Sequence, residues 1–283
     1  MTGAVPRGAC DSHCHVIGPH EQFPVSVGAG DIRNDSCAVH LDMLDSLEFD
    51  HALIVHPSSV YGDDHSAILA ALRAFPNRYR GVGVARADID DERLDTWAHA
   101  GICALRFVGV KTPQGQPFPG SAGFEDLFAL APRLRERGMH AQIWADCRDT
   151  IAHEAQIRRL GFPIVLDHMG KIDVAAGTKD KYFQRLCALL SEGLVLVKLT
   201  VCRNSQQRPA YEDLRPFHDA LLKANPEGLI WGSDWPHLRM GNDTPDPRAL
   251  LNVFRTWLSD VEIEKKILVD TPQRLFGFTH AGT

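Results

Sequence analysis

The chain has 283 residues, 44% of them hydrophobic, with 30 Lys and Arg against 36 Asp and Glu and a net charge of −6. Mild acidity without a clustered basic run argues against a nucleic-acid binder, since phosphate contacts need grouped Lys and Arg. The densest stretch, Arg133-Leu134-Arg135-Glu136-Arg137, reads as a solvated helix face. No apolar run reaches the ~18 residues of a membrane span, and Met1 to Ala9 carries no apolar leader. The seven cysteines form no CxxC pair, a pattern that points to reduced thiols in a cytoplasm.

Taken in order, the chain alternates short apolar runs with amphipathic stretches. A strand at Cys10–Val16 is followed by a polar loop, Gly18–Asp35, and a second strand at Ala52–His56. Ser66–Phe75 gathers Ile68, Leu69, Leu72 and Phe75 on one helical face and stops at Pro76. Strand Gly81–Arg86, a faint helical pattern at Asp91–His99 and strand Cys103–Phe107 come next. A Gly- and Pro-rich loop, Thr112–Gly123, leads into helix Phe124–Arg137, ended by Gly138, and then strand His140–Trp144. Strands Ile164–His168, Leu194–Thr200 and Leu229–Ser233 alternate with helices Tyr182–Leu190 and Leu214–Lys223, and a last helix, Glu262–Phe276, is expected to pack across one end. Eight such strands predict an α/β fold, a (β/α)8 TIM barrel in one domain over residues 1–283. An open doubly wound sheet is the competing arrangement, but its usual size is about six strands and no GxGxxG follows any strand here.

In a barrel, strand C-termini converge on one pocket. They bring His13 and His15 from strand 1, His56 and Ser58 from strand 2, Arg86 from strand 3, Arg106 from strand 4 and Trp144 from strand 5. Strand 6 adds His168, strand 7 the run Lys198 to Arg203, and strand 8 Asp234 with His237. Alternation places His13 and His15 on one side, with Cys14 pointing away as a poor nucleophile. Taken singly, each histidine could be incidental and Asp234 a turn residue; at strands 1, 6 and 8 together they describe a site with one general base. Arg106 interrupts an apolar strand, so it needs a partner: either a substrate carboxylate or an internal acid such as Asp234 or Glu125. Arg203 has the same two readings, Lys198 could pair inside the barrel, and Ser58 and Ser59 could donate to a carboxylate or be ordinary loop polarity. No GxSxG elbow, P-loop or HExxH is present.

DSHCHVIGP at the first strand, VLDHMGK at the sixth and GSDWPH at the eighth resemble the amidohydrolase superfamily, in its branch of pyrone-dicarboxylate and sugar lactonases, from Cys10 to about Phe278. The resemblance implies a distorted barrel that opens a small anionic lactone, with Asp234 as general base and His13, His15 and His168 around the scissile carbonyl. Arg106 and Arg203 would clamp carboxylates, helped by Ser58 or Ser59. Members that bind a metal firmly carry a further ligand at the end of strand 5, where this chain has Trp144. His13, His15 and Asp234 would just supply the three ligands of a catalytic zinc, so no metal is required although a divalent ion such as zinc is compatible. The pyrone lactonase pattern is altered at three places: Lys111 stands for a second arginine, Trp144 for a tyrosine, and a position near Asp31 for another tyrosine. The alternatives on this scaffold are a lactone isomerase and a metal-dependent decarboxylase of a small unsaturated or aromatic acid. Nothing in the pattern bears on oligomeric state.

Overall fold

Eight parallel strands form one sheet in sequence order: β1 (Cys10–Cys14), β2 (His51–Val55), β3 (Tyr79–Gly83), β4 (Ile102–Val108), β5 (His140–Trp144), β6 (Ile164–Leu166), β7 (Leu196–Leu199) and β8 (Leu229–Trp231). The computed structural model describes residues 3–26, 32, 35–112, 114–118 and 120–278, so Asp31 lies outside the described residues. The ring closes where Cys14 bridges Trp235, as Asp234 N–H donates to the His13 carbonyl at 2.8 Å and His15 N–H to the Trp235 carbonyl at 2.7 Å. Just below, the buried Asp11 carboxylate accepts from Ser233 N–H at 2.9 Å and from its hydroxyl at 2.5 Å. This side-chain clasp joins the first strand to the end of the last.

The predicted helices form at Ser66–Ala74, Asp91–His99, Phe124–Glu136, Lys181–Ser191 and Arg215–Ala224, within one residue of expectation at each end. Helices Cys37–Ser46 and Pro247–Trp257 went unassigned; the first buries only His40 and Leu44, too little for a clear period. The final helix is broken into Val261–Lys265, a π-turn over Lys266–Asp270 and Thr271–Phe276. Pro272 has no N–H to give the preceding turn, which explains why a regular α-ladder does not run through.

Inside the ring, alternate residues stack in layers. Cys10, Leu53, Val82, Ala104, Val165, Leu196 and Ile230 form an apolar layer, plugged from below by Phe276 and Phe278. Two residues beyond Ala104, Val165 and Leu196 lie Arg106, Asp167 and Lys198, and two beyond His140 on β5 lies Gln142, all buried. The β1/β2 register slips between Asp11 and Cys14. That irregularity lets Cys10 and His13, an odd number of residues apart, both face inward. Gly232 makes room for His13, because a Cβ there would lie 2.6 Å from the His13 Cβ.

Candidate active site

The chain leaves the ladder earlier than expected at β6 and β8, and the residues so released carry the site. His168 (φ 49°) and Asp234 (φ 66°) both adopt left-handed backbone, a costly conformation for non-glycine residues that clusters at functional sites. Asp234 is held there by its N–H on the His13 carbonyl and by His237 N–H on its own carbonyl, both 2.8 Å. Its carboxylate faces two imidazoles, with Oδ1 3.4 Å from His13 Nε2 and 3.6 Å from His15 Nε2, while Oδ2 takes Arg203 Nε–H. His15 Nδ1–H donates to the Val55 carbonyl at 2.7 Å, which leaves the Nε2 lone pair facing Asp234. The His168 ring sits 4.8 Å from that of His13.

Beneath this group lies a buried ionic layer. Asp167 Oδ2 accepts Arg106 Nε–H at 2.7 Å, and Oδ1 pairs with Lys198 Nζ at 2.8 Å. Lys198 also donates to Gln142 Oε1 at 2.8 Å and meets His13 Nδ1 at 2.9 Å. Arg106 therefore has an internal partner, though neither of the expected ones. Burial alone would raise the Asp167 carboxyl, but Lys198, Arg106 and His13 outweigh it and hold it well below the usual range. Burial would likewise raise Asp234, and Arg203 and the surrounding histidines reverse this, so it stays ionised well below the ordinary carboxylate range. Burial, reinforced by Lys198, keeps His13 neutral, and burial pushes His168 down to about 3.

Above the layer opens a cleft of about 290 Å³, lined by His15, Ser58, Ser59, Arg106, Trp144, His168, Arg203 and Asp234 among others, the size of a small-molecule site. Arg106 lines it, its Nη atoms meet no acceptor among the described residues, and its guanidinium lies 4.8 Å over the Trp144 ring. Ser58 and Ser59 open a single helical turn on the opposite rim.

Several expectations are corrected. Lys111 is exposed, pairs across a loop with Pro117 and does not line the cleft. His237 is buried off the cleft, with Nε2 on the Ser233 carbonyl at 3.1 Å, so it braces the Asp234 turn. Arg86 is exposed beside a separate depression, and His56 is spent on the Gly62 carbonyl at 2.9 Å. Arg203 is committed to Asp234 through Nε and to the Leu238 carbonyl through Nη1, which leaves Nη2 for a ligand. Cys14 is fully buried with its thiol pushed far up by burial, in keeping with no nucleophilic role. The sequence pattern did not single out Asp167, two residues beyond the apolar Val165, or Gln142, two residues beyond His140. It also missed Arg239, a rim residue whose Nη2 donates to the Ser59 carbonyl at 3.2 Å.

His13, His15 and Asp234 bring ligand atoms within 4.8 Å of one another, and so do His13, Asp167 and His168; by spacing either trio could hold an ion. The donor chemistry fits less well. The Lys198 ammonium stands 2.9 Å from His13 Nδ1; a lone pair accepting from it there would put the hydrogen on Nε2, which would then offer nothing to a metal. His15 and Asp234 remain, one short of the three protein ligands of a catalytic zinc. In the other trio, Asp167 is already neutralised by two cations. These residues do not fit a firmly held divalent metal.

A β/α ring with paired histidines on its first strand, another histidine after the sixth and a buried carboxylate after the eighth defines an amidohydrolase-type barrel enzyme. The amidohydrolase family profile matches residues 10–278, and the chain belongs to this family. Among its relatives is the 4-sulfomuconolactone hydrolase of Rhizobium radiobacter, 33% identical over 97% of this chain and 91% of that protein. The 2-pyrone-4,6-dicarboxylate hydrolase of Comamonas testosteroni is 28% identical over 96% of this chain and 91% of its own length. A solved structure from Pseudomonas putida, provisionally assigned as a 2-pyrone-4,6-dicarboxylic acid hydrolase, superposes with a TM-score of 0.83 at 27% identity, covering 97% of this chain and 99% of that one.

Proposed function

We propose that this protein is a hydrolase that opens a small carboxylate-bearing lactone by Asp234-assisted attack of water. The observation that carries the reading is a single cleft into which Asp234, the imidazoles of His15 and His168 and the unengaged fork of Arg106 all open. Asp234 Oδ1 and His15 Nε2, 3.6 Å apart, are both acceptors and can share the two hydrogens of one water, aiming its lone pair at the carbonyl. As the C–O bond forms, Asp234 takes the proton, a contribution of typically ~10²–10⁴-fold. His13 Nε2–H and His168 receive the charge that builds on the carbonyl oxygen, an oxyanion effect of about 3–4 kcal/mol per well-placed donor. Collapse breaks the ring C–O bond, and Asp234 returns its proton to the departing oxygen. Arg106, backed by Asp167 and stacked on Trp144, holds the substrate carboxylate and fixes which face meets the water. That relatives of this chain are lactone hydrolases supports the reaction class.

A panel of muconolactones, pyrones and aldonolactones, followed with a pH indicator and product analysis, tests the reading. One proton released per ring-opened acid is the expected result. Release of carbon dioxide would make the protein a decarboxylase, and an isomeric lactone without proton release would make it an isomerase; either ends the hydrolase reading.

A further inference from the structure

We propose that Lys198 sets the tautomer of His13, keeping Nε2 as an N–H donor and withholding it from metal ligation. Lys198 is fully buried mid-strand, with Gln142 Oε1, Asp167 Oδ1 and His13 Nδ1 all within 2.9 Å of its Nζ. Each neighbour is itself oriented. Asp167 is anchored by Arg106 Nε–H at 2.7 Å. Gln142 places its Nε2 3.2 Å from His140 Nε2, and that contact turns its oxygen, rather than its amide hydrogens, towards the ammonium. A chain of buried polar groups thus rises from His140 through Gln142 and Lys198 to His13.

The alternative tautomer fails on distance. A hydrogen on His13 Nδ1 would meet the Lys198 ammonium head-on at 2.9 Å, while the other acceptor in reach, Asp167 Oδ1, is 3.4 Å away. The Nδ1 lone pair therefore faces Lys198, and the hydrogen sits on Nε2, on the side of Asp234, whose Oδ1 is 3.4 Å away. His15 is fixed the other way, because its Nδ1–H is spent on the Val55 carbonyl. Adjacent members of the HxH pair so present opposite faces, one donor and one acceptor. Metal-free hydrolysis uses that asymmetry, the donor for a carbonyl oxygen and the acceptor for water; a shared metal needs two lone pairs. Only the catalytic use of the donor rests on the lactonase reading; the tautomer does not.

The test is the imidazole 15N spectrum of the unsubstituted, uniformly labelled protein, with His13 identified by the signal lost in His13→Gln. An unprotonated Nδ1 and a protonated Nε2 are expected for His13, and the reverse for His15; a His13 that carries its hydrogen on Nδ1 overturns the proposal. No lactone enters this measurement, so it stands apart from any failure of the activity screen. Calorimetric titration with zinc alone supplies the second arm. Lys198→Met should bind zinc about tenfold or more tightly than the parent, the scale of outer-shell effects on metal sites, and lose the gain when His13→Gln is added. Equal or weaker binding, or a gain that survives loss of His13, would also overturn it. Should Asp167, left with Arg106 alone, unfold Lys198→Met, the double variant Lys198→Met/Asp167→Asn carries the same comparison.

Discussion

At its lower end the barrel is plugged by Phe276 and Phe278 against small and branched apolar side chains, while one layer higher the interior is Arg106, Gln142, Asp167 and Lys198. Below, cohesion is additive and tolerates any filling of the right volume and shape. Above, each group depends on a particular partner, because a buried charge that loses its counter-ion costs several kcal/mol. Two cations share Asp167, and a third neutralises Asp234. Stability at the lower end is thus spread over many contacts, whereas the geometry of the upper end hangs on a few.

Substitutions at the two ends should separate accordingly. The largest effect is expected for Asp234→Asn, which keeps the shape but removes the base: kcat for whichever lactone is turned over should fall by ~10²–10⁴ or more, with ligand binding retained. A folded variant with near-parental kcat would remove Asp234 from the chemistry. Phe276→Ala tests the other end. It should lower unfolding free energy by about 3–5 kcal/mol and leave kcat unchanged, measured by urea denaturation and by activity at a temperature where the variant is folded. A kcat loss there would show that the ends are coupled, through the Phe276–His140 ring contact at 5.6 Å.

Acid should expose the polar interior next. Burial holds His40, His140 and His168 down at about 3, far under the ~6.5 of an unfolded histidine. The unfolded state therefore binds these protons first, and stability present above about pH 6.5 is lost as pH falls through the window towards 3. Asp11 works in the opposite sense: burial pushes it up to about 6, so the folded state gains a proton before the unfolded one does. Burial also holds His13, His56, His65 and His237 down, so the histidines outweigh Asp11 and stability should fall as pH drops through 5, read from urea midpoints at several pH values. A flat profile would mean that these histidines are charged in the native protein.

How much of this was legible differs between the ends as well. Strand count, strand order and five helices followed from short apolar runs and clear stop signals, because a parallel barrel buries its strands on both faces and writes them as continuous hydrophobic stretches. His13, His15, His168 and Asp234 were legible because they lie where strands end. Asp167, Gln142 and Lys198 were harder. Their meaning lies in contacts between β5, β6 and β7, and pairing across 56 residues, as between Gln142 and Lys198, leaves no local pattern. The Asp11 clasp on Ser233 is longer still, 222 residues. Lys111 and His237 show the converse error: position just beyond a strand suggested a role that loop direction then denied them.

Arg106 belongs to both the charged layer and the cleft, and so gives the smallest but most discriminating prediction. Its Nε supports Asp167, while its Nη atoms open into the cleft. Arg106→Met should raise KM for carboxylate-bearing lactones about 10- to 150-fold, the loss expected for one charge-assisted hydrogen-bonding contact of ~1.5–3 kcal/mol, and alter KM for neutral lactones much less. It should also lower Tm, since Asp167 would be left with Lys198 as its sole cation among the described residues. Arg106→Lys divides the two roles: a positive charge remains near Asp167, but a point charge replaces the planar fork. Recovery of Tm without recovery of KM would assign the fork to the substrate and the charge to the fold. Equal KM changes for charged and neutral lactones would make Arg106 a structural member of the buried layer alone, and recognition of the anion would then fall to the rim, to the remaining Nη2 of Arg203.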